Sequence, residues 1–157
     1  MSLKAYREKR EFRKTPEPDG SGKGRKSGSA GERAYAVQKH QASHLHYDLR
    51  LEEKGVLKSW AIPKEPPHEP GIRRLAVQTE DHPLDYAYFE GVIPEGEYGA
   101  GTVKVWDRGT YVPVEALPGK RVFDIRGKRL KGLFCLVRLK PQEPDDKNWL
   151  FFKLKET

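Results

Sequence analysis

The chain has 157 residues, with 30 Lys and Arg against 23 Asp and Glu, a net charge of +7, and 36% hydrophobic residues. That length suits one domain with a tail and leaves little room for two cores. No apolar run approaches the roughly 18–20 residues of a bilayer crossing. Nor does the N-terminal Met-Ser-Leu-Lys-Ala-Tyr-Arg-Glu-Lys-Arg carry an apolar stretch behind its charges, so a secretory leader is not expected. The single Cys135 excludes a disulfide framework and a multi-thiolate zinc site. A basic cytoplasmic protein with no membrane partner is the expectation.

The charge is unevenly placed. Residues 1–33 hold 10 Lys and Arg against 5 Asp and Glu, whereas residues 34–157 hold 20 against 18. The first part reads as a basic N-terminal arm and linker, the second as the folded domain. Leu3 to Lys14 is charged, with Leu3, Tyr6 and Phe12 as its main apolar residues. It is open between a short docked helix and a loose arm that orders on a polyanion. Gly20 to Gly31, GSGKGRKSGSAG, has nothing to bury and reads as a flexible linker. It is not a phosphate loop, because Arg25 precedes Lys26-Ser27 and no strand leads in.

From Tyr35 onward the pattern is mostly period two. Short strands are expected at Leu45–Leu51, Val56–Pro63, Leu75–Thr79, Gly101–Trp106, Lys120–Ile125, Leu133–Leu139 and Trp149–Leu154. Turn residues separate them, among them Glu53-Lys54-Gly55, Pro70-Gly71 and Pro118-Gly119. Asp85 to Phe89 is a candidate helical turn. Many short strands and no long helical period predict a mainly β fold, an antiparallel β-barrel with short flanking helices.

The most informative stretch is Gln38-Lys39-His40-Gln41-Ala42-Ser43-His44-Leu45-His46-Tyr47-Asp48-Leu49-Arg50-Leu51-Glu52. Side chains two apart on a strand share a face. Leu45, Tyr47, Leu49 and Leu51 therefore face a core, while His44, His46, Asp48, Arg50 and Glu52 form a polar row. His46 and Asp48 can converge on one cation, and His40 adds a nitrogen if the chain bends between Gln41 and Ser43. Two imidazoles and a carboxylate form an open set suited to Mn²⁺, Fe²⁺ or Zn²⁺. Arg50 beside it supplies what a phosphate oxyanion needs.

In Glu80-Asp81-His82-Pro83-Leu84-Asp85-Tyr86, Pro83 keeps His82 extended. His82 is open to three roles, as metal ligand, phosphate donor or general acid, and Tyr86 can donate to a phosphate oxygen. Lys64 and Arg73-Arg74 stand at strand ends and can hold a phosphate backbone. The glycines of Pro94 to Gly101 read as a tight hairpin, not a dinucleotide fingerprint. Cys135, in an apolar run, reads as a buried inert thiol, and His68, in a proline-ruled loop, as surface.

The strings QKHQASHLHYDLRLE, GVLKSWAIPKEP, RRLAVQTEDHPLDYAYFEGVIPEGEYGAGTVKVWDRGTY and NWLFFKLKE resemble the 3′-phosphoesterase module of bacterial DNA ligase D, from about Tyr35 to Lys155. The resemblance implies a β-barrel with an apolar interior and an active site on its outer surface. It also implies a Mn²⁺-dependent enzyme that removes a 3′-terminal ribonucleoside from DNA and then the 3′-phosphate, leaving a 3′-hydroxyl during non-homologous end joining. By motif position, His40, His46 and Asp48 match metal ligands, and Arg50, His82 and Tyr86 match residues that engage the scissile phosphate. Lys64, Arg74 and Glu80 match supporting positions. Arg10, Glu11 and Glu17 match an arm that assists the diesterase step, with Glu11 where the family pattern has Asp. The chain resembles a free-standing member, so a partner ligase is expected to be a separate protein.

Two rival readings remain at this point. A non-catalytic nucleic-acid-binding module would grip backbone phosphates with the polar row and arm. A metal-bound structural domain would leave 3′-modified ends intact. Asp48 between His46 and Arg50 weighs against the first, since a carboxylate repels phosphate unless a cation bridges them.

Overall fold

The computed structural model describes residues 3–21 and 31–156. The linker reading of Gly20 to Gly31 falls largely outside these residues. In chain order the elements are α1 (Lys4–Glu8), β1 (Arg33–Gln41), β2 (Leu45–Glu53), β3 (Val56–Ile62), β4 (Arg73–His82), a 3₁₀ turn (Leu84–Tyr88), β5 (Gly91–Ile93), β6 (Gly101–Leu117), β7 (Lys120–Arg126), β8 (Lys131–Arg138) and β9 (Asn148–Lys153). Among the described residues no helix is long and apolar enough to cross a membrane.

The strands run β1-β2-β3-β4-β9-β8-β7-β6, and β6 pairs back onto β1 to close an antiparallel barrel, with β5 added beside the start of β6. Closure removes the free edges that an open sheet would expose. β6 pairs with β1, β5 and β7 along its length, and a bulge opposite Val37 and Gln38 bends it around the barrel.

Two cores result. Inside the barrel, Tyr35, Val37, Leu49, Leu51, Trp60, Ile62, Phe123, Ile125, Phe134, Leu136, Trp149 and Phe151 pack together. A second, smaller core lies on the outer wall: Tyr6, Ala36, Leu57, Tyr86, Ala87, Phe89, Ile93 and Val103, with Phe12 and Leu84 against it. Burying such a side chain contributes about 1.5–3 kcal/mol, and here that energy fastens the arm and the 3₁₀ turn to the barrel. The arm thus contains the short docked helix, with Tyr6 fully buried.

β1 and β5 are strands that the sequence pattern did not mark. In β1, Tyr35, Ala36, Val37 and Gln38 are all buried, because the arm side of the wall is covered as well as the interior, and two-sided burial erases alternation. β5 is three residues long. In β2 the expected facing holds for Tyr47, Leu49 and Leu51, but Leu45 is 40% exposed, since it opens the strand beyond the bend at residues 42–44.

Candidate active site

The site is built on the outer face of β1 and β2. Cross-strand partners in an antiparallel pair point to the same side, and the register sets His40 opposite His46 and Gln38 opposite Asp48. His40 Nδ1 lies 3.0 Å from His46 Nε2. Asp48 reaches both imidazoles, at 3.6 Å from His40 Nδ1 and 3.3 Å from His46 Nε2. The donor atoms of these three residues lie within 4.8 Å of one another.

Hydrogen bonding fixes the tautomers. His40 Nε2 is 2.7 Å from the Gly99 carbonyl, and His46 Nδ1 is 3.2 Å from the His44 carbonyl. A carbonyl only accepts, so each of these nitrogens carries the proton. The nitrogens that face each other then both present lone pairs, beside a carboxylate that also only accepts. Three converging acceptors favour positive charge among them, and the set could hold a metal ion. Two ligands about 2.1 Å from an ion and at right angles lie about 3.0 Å apart, so the spacing fits a small divalent ion.

Burial alone would raise the Asp48 carboxyl, but the Arg50 guanidinium, together with His40 and His46, holds it well below the usual carboxylate range. Burial depresses the His46 imidazole, yet the Asp48 carboxylate outweighs that and leaves it above its ordinary value. Both results describe a pocket that favours positive charge between these groups.

Arg50 is the hinge between this cluster and the next. Its Nη2 is 3.5 Å from Asp48 Oδ2, its Nε donates to Gln38 Oε1 at 3.0 Å, and its Nη1 is 3.3 Å from His82 Nδ1. His82 ends β4 after a register shift against β3, where Leu57 pairs with His82 but Ser59 with Thr79. The extra residue lets Thr79, Glu80 and His82 all line one cavity, which strict alternation forbids. His82 Nδ1 lies 2.9 Å from the Glu80 carbonyl and 3.3 Å from Ser59 Oγ, and Nε2 lies 3.4 Å from Arg10 Nη2. Burial, reinforced by Arg50 and then Arg10, holds this imidazole well below its ordinary value. It is neutral, with Nδ1–H on the carbonyl and Nε2 accepting from Arg10.

Pro83 is extended and starts the 3₁₀ turn that carries Tyr86. Gln38 Nε2 clamps that turn, donating to the Tyr86 carbonyl at 2.6 Å and the Phe89 carbonyl at 3.0 Å. The Tyr86 hydroxyl donates to Glu17 Oε2 at 2.6 Å. Glu17 also receives Arg10 Nε at 2.9 Å and the Thr15 hydroxyl at 2.9 Å. The N-terminal arm therefore forms one wall of the site, and Arg10 packs its guanidinium 4.0 Å from the Tyr6 ring centre.

A cavity of about 230 Å³ unites Arg10, Glu17, His40, His46, Asp48, Arg50, Glu80, His82 and Tyr86. Three other residues singled out in the sequence lie elsewhere. Glu11 is exposed on the arm. Lys64 and Arg74 line a separate cavity at the barrel end, together with Pro63, Arg73 and Leu75. Conversely, Gln38, Ser59 and the Gly99 carbonyl serve the site without having been singled out. Gln38 stands two residues before His40, so alternation alone was a usable signal. Nothing marks a glycine carbonyl in a sequence.

The profile of the DNA ligase D 3′-phosphoesterase domain matches residues 38–138. The multifunctional non-homologous end joining protein LigD of Pseudomonas aeruginosa is 50% identical over 159 aligned positions, covering 98% of this chain and 19% of that protein. The LigD proteins of Mycobacterium tuberculosis and Mycolicibacterium smegmatis are each 41% identical, over 98% of this chain and 20% and 21% of their own lengths. The chain thus spans about a fifth of these relatives. The matched segment contains His40, His46, Asp48, Arg50, His82 and Tyr86, the residues that the barrel wall gathers into one cavity, and the chain belongs to the DNA ligase D 3′-phosphoesterase domain family.

Proposed function

We propose that this domain is a Mn²⁺-dependent phosphoesterase that heals 3′ ends of DNA, removing a terminal ribonucleoside and then the 3′-phosphate to leave a 3′-hydroxyl. The observation that carries the reading is the acceptor-only cluster of His40, His46 and Asp48 with Arg50 3.5 Å away in the same cavity. Held by those three residues, a divalent ion such as Mn²⁺, or another transition metal, would supply Lewis acidity toward a phosphate oxygen and a water.

The chain's own groups supply the rest. Arg50, pinned by Gln38, faces the place where negative charge grows on the phosphoryl oxygens. Neutral His82 sits between two guanidiniums, where an incoming phosphate would offset their field, raise the proton affinity of the imidazole and let it take up the proton that it then donates. Tyr86, fixed by Glu17, closes the same corner. Arg10 and Glu17 position the arm beside the leaving group and Glu80 borders it, while Lys64 and Arg74, in their separate cavity at the barrel end, would meet the strand's backbone only beyond the site. DNA with 3′-ribonucleotide or 3′-phosphate ends is the proposed substrate, and end-joining proteins, a ligase among them, are the proposed partners.

The test is a labelled duplex with a recessed 3′-ribonucleotide, incubated across a Mn²⁺ titration. A 3′-phosphate product followed by a 3′-hydroxyl product is expected, and Arg50→Lys slows phosphate release by about 10²–10³-fold. Product formation that persists in chelator would refute the metal-dependent reading. Salt-sensitive binding without any product would favour a binding module.

A further inference from the structure

The loop between β5 and β6 holds an aromatic ring that neither core uses. Tyr98 is 46% exposed, yet it lines the cavity that contains His40, His46 and Arg50. Two turns stiffen its loop: Glu97 N–H donates to the Pro94 carbonyl at 3.2 Å, and Ala100 N–H to the Glu97 carbonyl at 3.1 Å. Gly96 and Gly99 supply the positive φ angles, 88° and 78°, that these turns need. Because the Gly99 carbonyl also receives His40 Nε2, the position of the ring is tied to that of a metal-binding imidazole.

Packing does not account for Tyr98. Its hydroxyl is 3.5 Å from Lys9 Nζ, and its ring centre is 5.0 Å from Lys9 Nζ and 5.2 Å from the Arg10 guanidinium, so among the described residues its only contacts of this kind are with cations of the arm. Arg10 is also held by Glu17, by the Tyr6 carbonyl at 3.0 Å and by the Tyr6 ring, so its place does not rest on Tyr98 alone. On the other side of Lys9, Glu80 Oε2 is buried with no hydrogen-bond partner, facing Lys9 Nζ at 3.5 Å and Arg10 Nη1 at 3.8 Å as ion pairs only. A half-exposed rigid ring and an acceptor lacking a donor thus flank one corner of the cavity. Aromatic faces of this kind stack on nucleobases without regard to sequence, and a ribose carries hydroxyls that can donate to such an acceptor.

Resting on the phosphoesterase reading above, we propose that Tyr98 is the stacking platform for the base of the 3′-terminal nucleoside, the group that the diesterase step removes. The ring then sets where the bond to be broken lies relative to the metal ligands, and the preference is for a terminal base as such rather than for one base over another.

The experiment uses the full chain in chelator, so that binding is read without turnover. Two primers are compared, one ending in a 2-aminopurine riboside beyond the last phosphate and one ending at that phosphate. Wild-type protein is expected to quench the 2-aminopurine. Tyr98→Phe retains the quench, whereas Tyr98→Ala and Tyr98→Leu lose it and weaken the riboside-ended primer about tenfold more than the phosphate-ended one. Melting temperatures of the variants confirm that they are folded. Equal quenching by Tyr98→Leu, or equal weakening on both primers, would overturn the stacking role and leave the phosphoesterase reading in place. Failure of wild-type protein to bind either primer, both in chelator and with Mn²⁺ added, would overturn both.

Discussion

Two buried carboxylates on this barrel show how differently the same functional group is used. Asp107 accepts from the Tyr35 hydroxyl at 2.8 Å and from the backbone N–H groups of Lys128, Arg129 and Leu130 at 2.8, 2.9 and 3.0 Å. Asp48 is as deeply placed, but its neighbours are His40, His46 and Arg50 side chains at 3.3–3.6 Å. The first is saturated by fixed donors and closes a corner between β6 and the loop after β7. Even Gly127 is constrained there, since a Cβ would lie 2.3 Å from Asp107 Oδ2. The second faces two lone pairs and a cation, and its balance is completed by what binds. A satisfied carboxylate stabilises a fold; one left short of donors marks a site.

The comparison is broken most sharply at His46. His46→Ala removes one of the three converging acceptors, and phosphate release is expected to fall to background. Added Mn²⁺ should raise the melting temperature of wild-type protein but not of this variant, as differential scanning fluorimetry would show. Its metal-free melting temperature should stay close to the wild type's, because the imidazole belongs to neither core.

Asp107→Ala should do the reverse. Orphaning the buried Leu130 amide and Tyr35 phenol, together with the part-buried amides of Lys128 and Arg129, costs about 3–5 kcal/mol, measurable by urea unfolding, while the rate per folded molecule is retained. A large loss of activity with unchanged stability would reverse the roles assigned to the two carboxylates.

Phenol for phenol, the smallest effect comes from buried tyrosines: Tyr35 on Asp107, Tyr86 on Glu17 and Tyr111 on the Glu52 carbonyl. Burial pushes Tyr35, beside Asp107, and Tyr86, beside Glu17, well above the ordinary tyrosine value, and Tyr111 up to about 12. In the unfolded chain these groups lose their protons first, near pH 10. Stability is therefore intact below that pH and falls above it, by about 1.4 kcal/mol per pH unit for each phenol. Urea midpoints between pH 8 and 11 should show this fall, and Tyr111→Phe should reduce its slope by the share of one phenol.

The interior core was legible along β2, β7 and β9 because alternation survives there, and along β3 and β8 as short apolar runs between turn residues. The wall that carries the site was legible only in part. His46, Asp48 and Arg50 share a face by spacing alone, and His40 follows once the hairpin register is known. Tyr6, Arg10 and Glu17 are far away in the chain, and the pattern left open whether that arm docks or stays loose. Lys64 and Arg74, which looked like companions of the site, fall at the barrel end because β3 and β4 carry them past the rim.

The amino-acid sequence by itself determined the strand class, the inward apolar set of β2 and the row of imidazole, carboxylate and guanidinium, since these depend on a period of two within a few residues. Tertiary structure decided the rest. Closure of β6 onto β1, the register shift that turns His82 toward Arg50, and the outer core that seats Tyr6 and Tyr86 all join residues tens of positions apart. Such contacts follow from packing and register between elements, which no local spacing encodes.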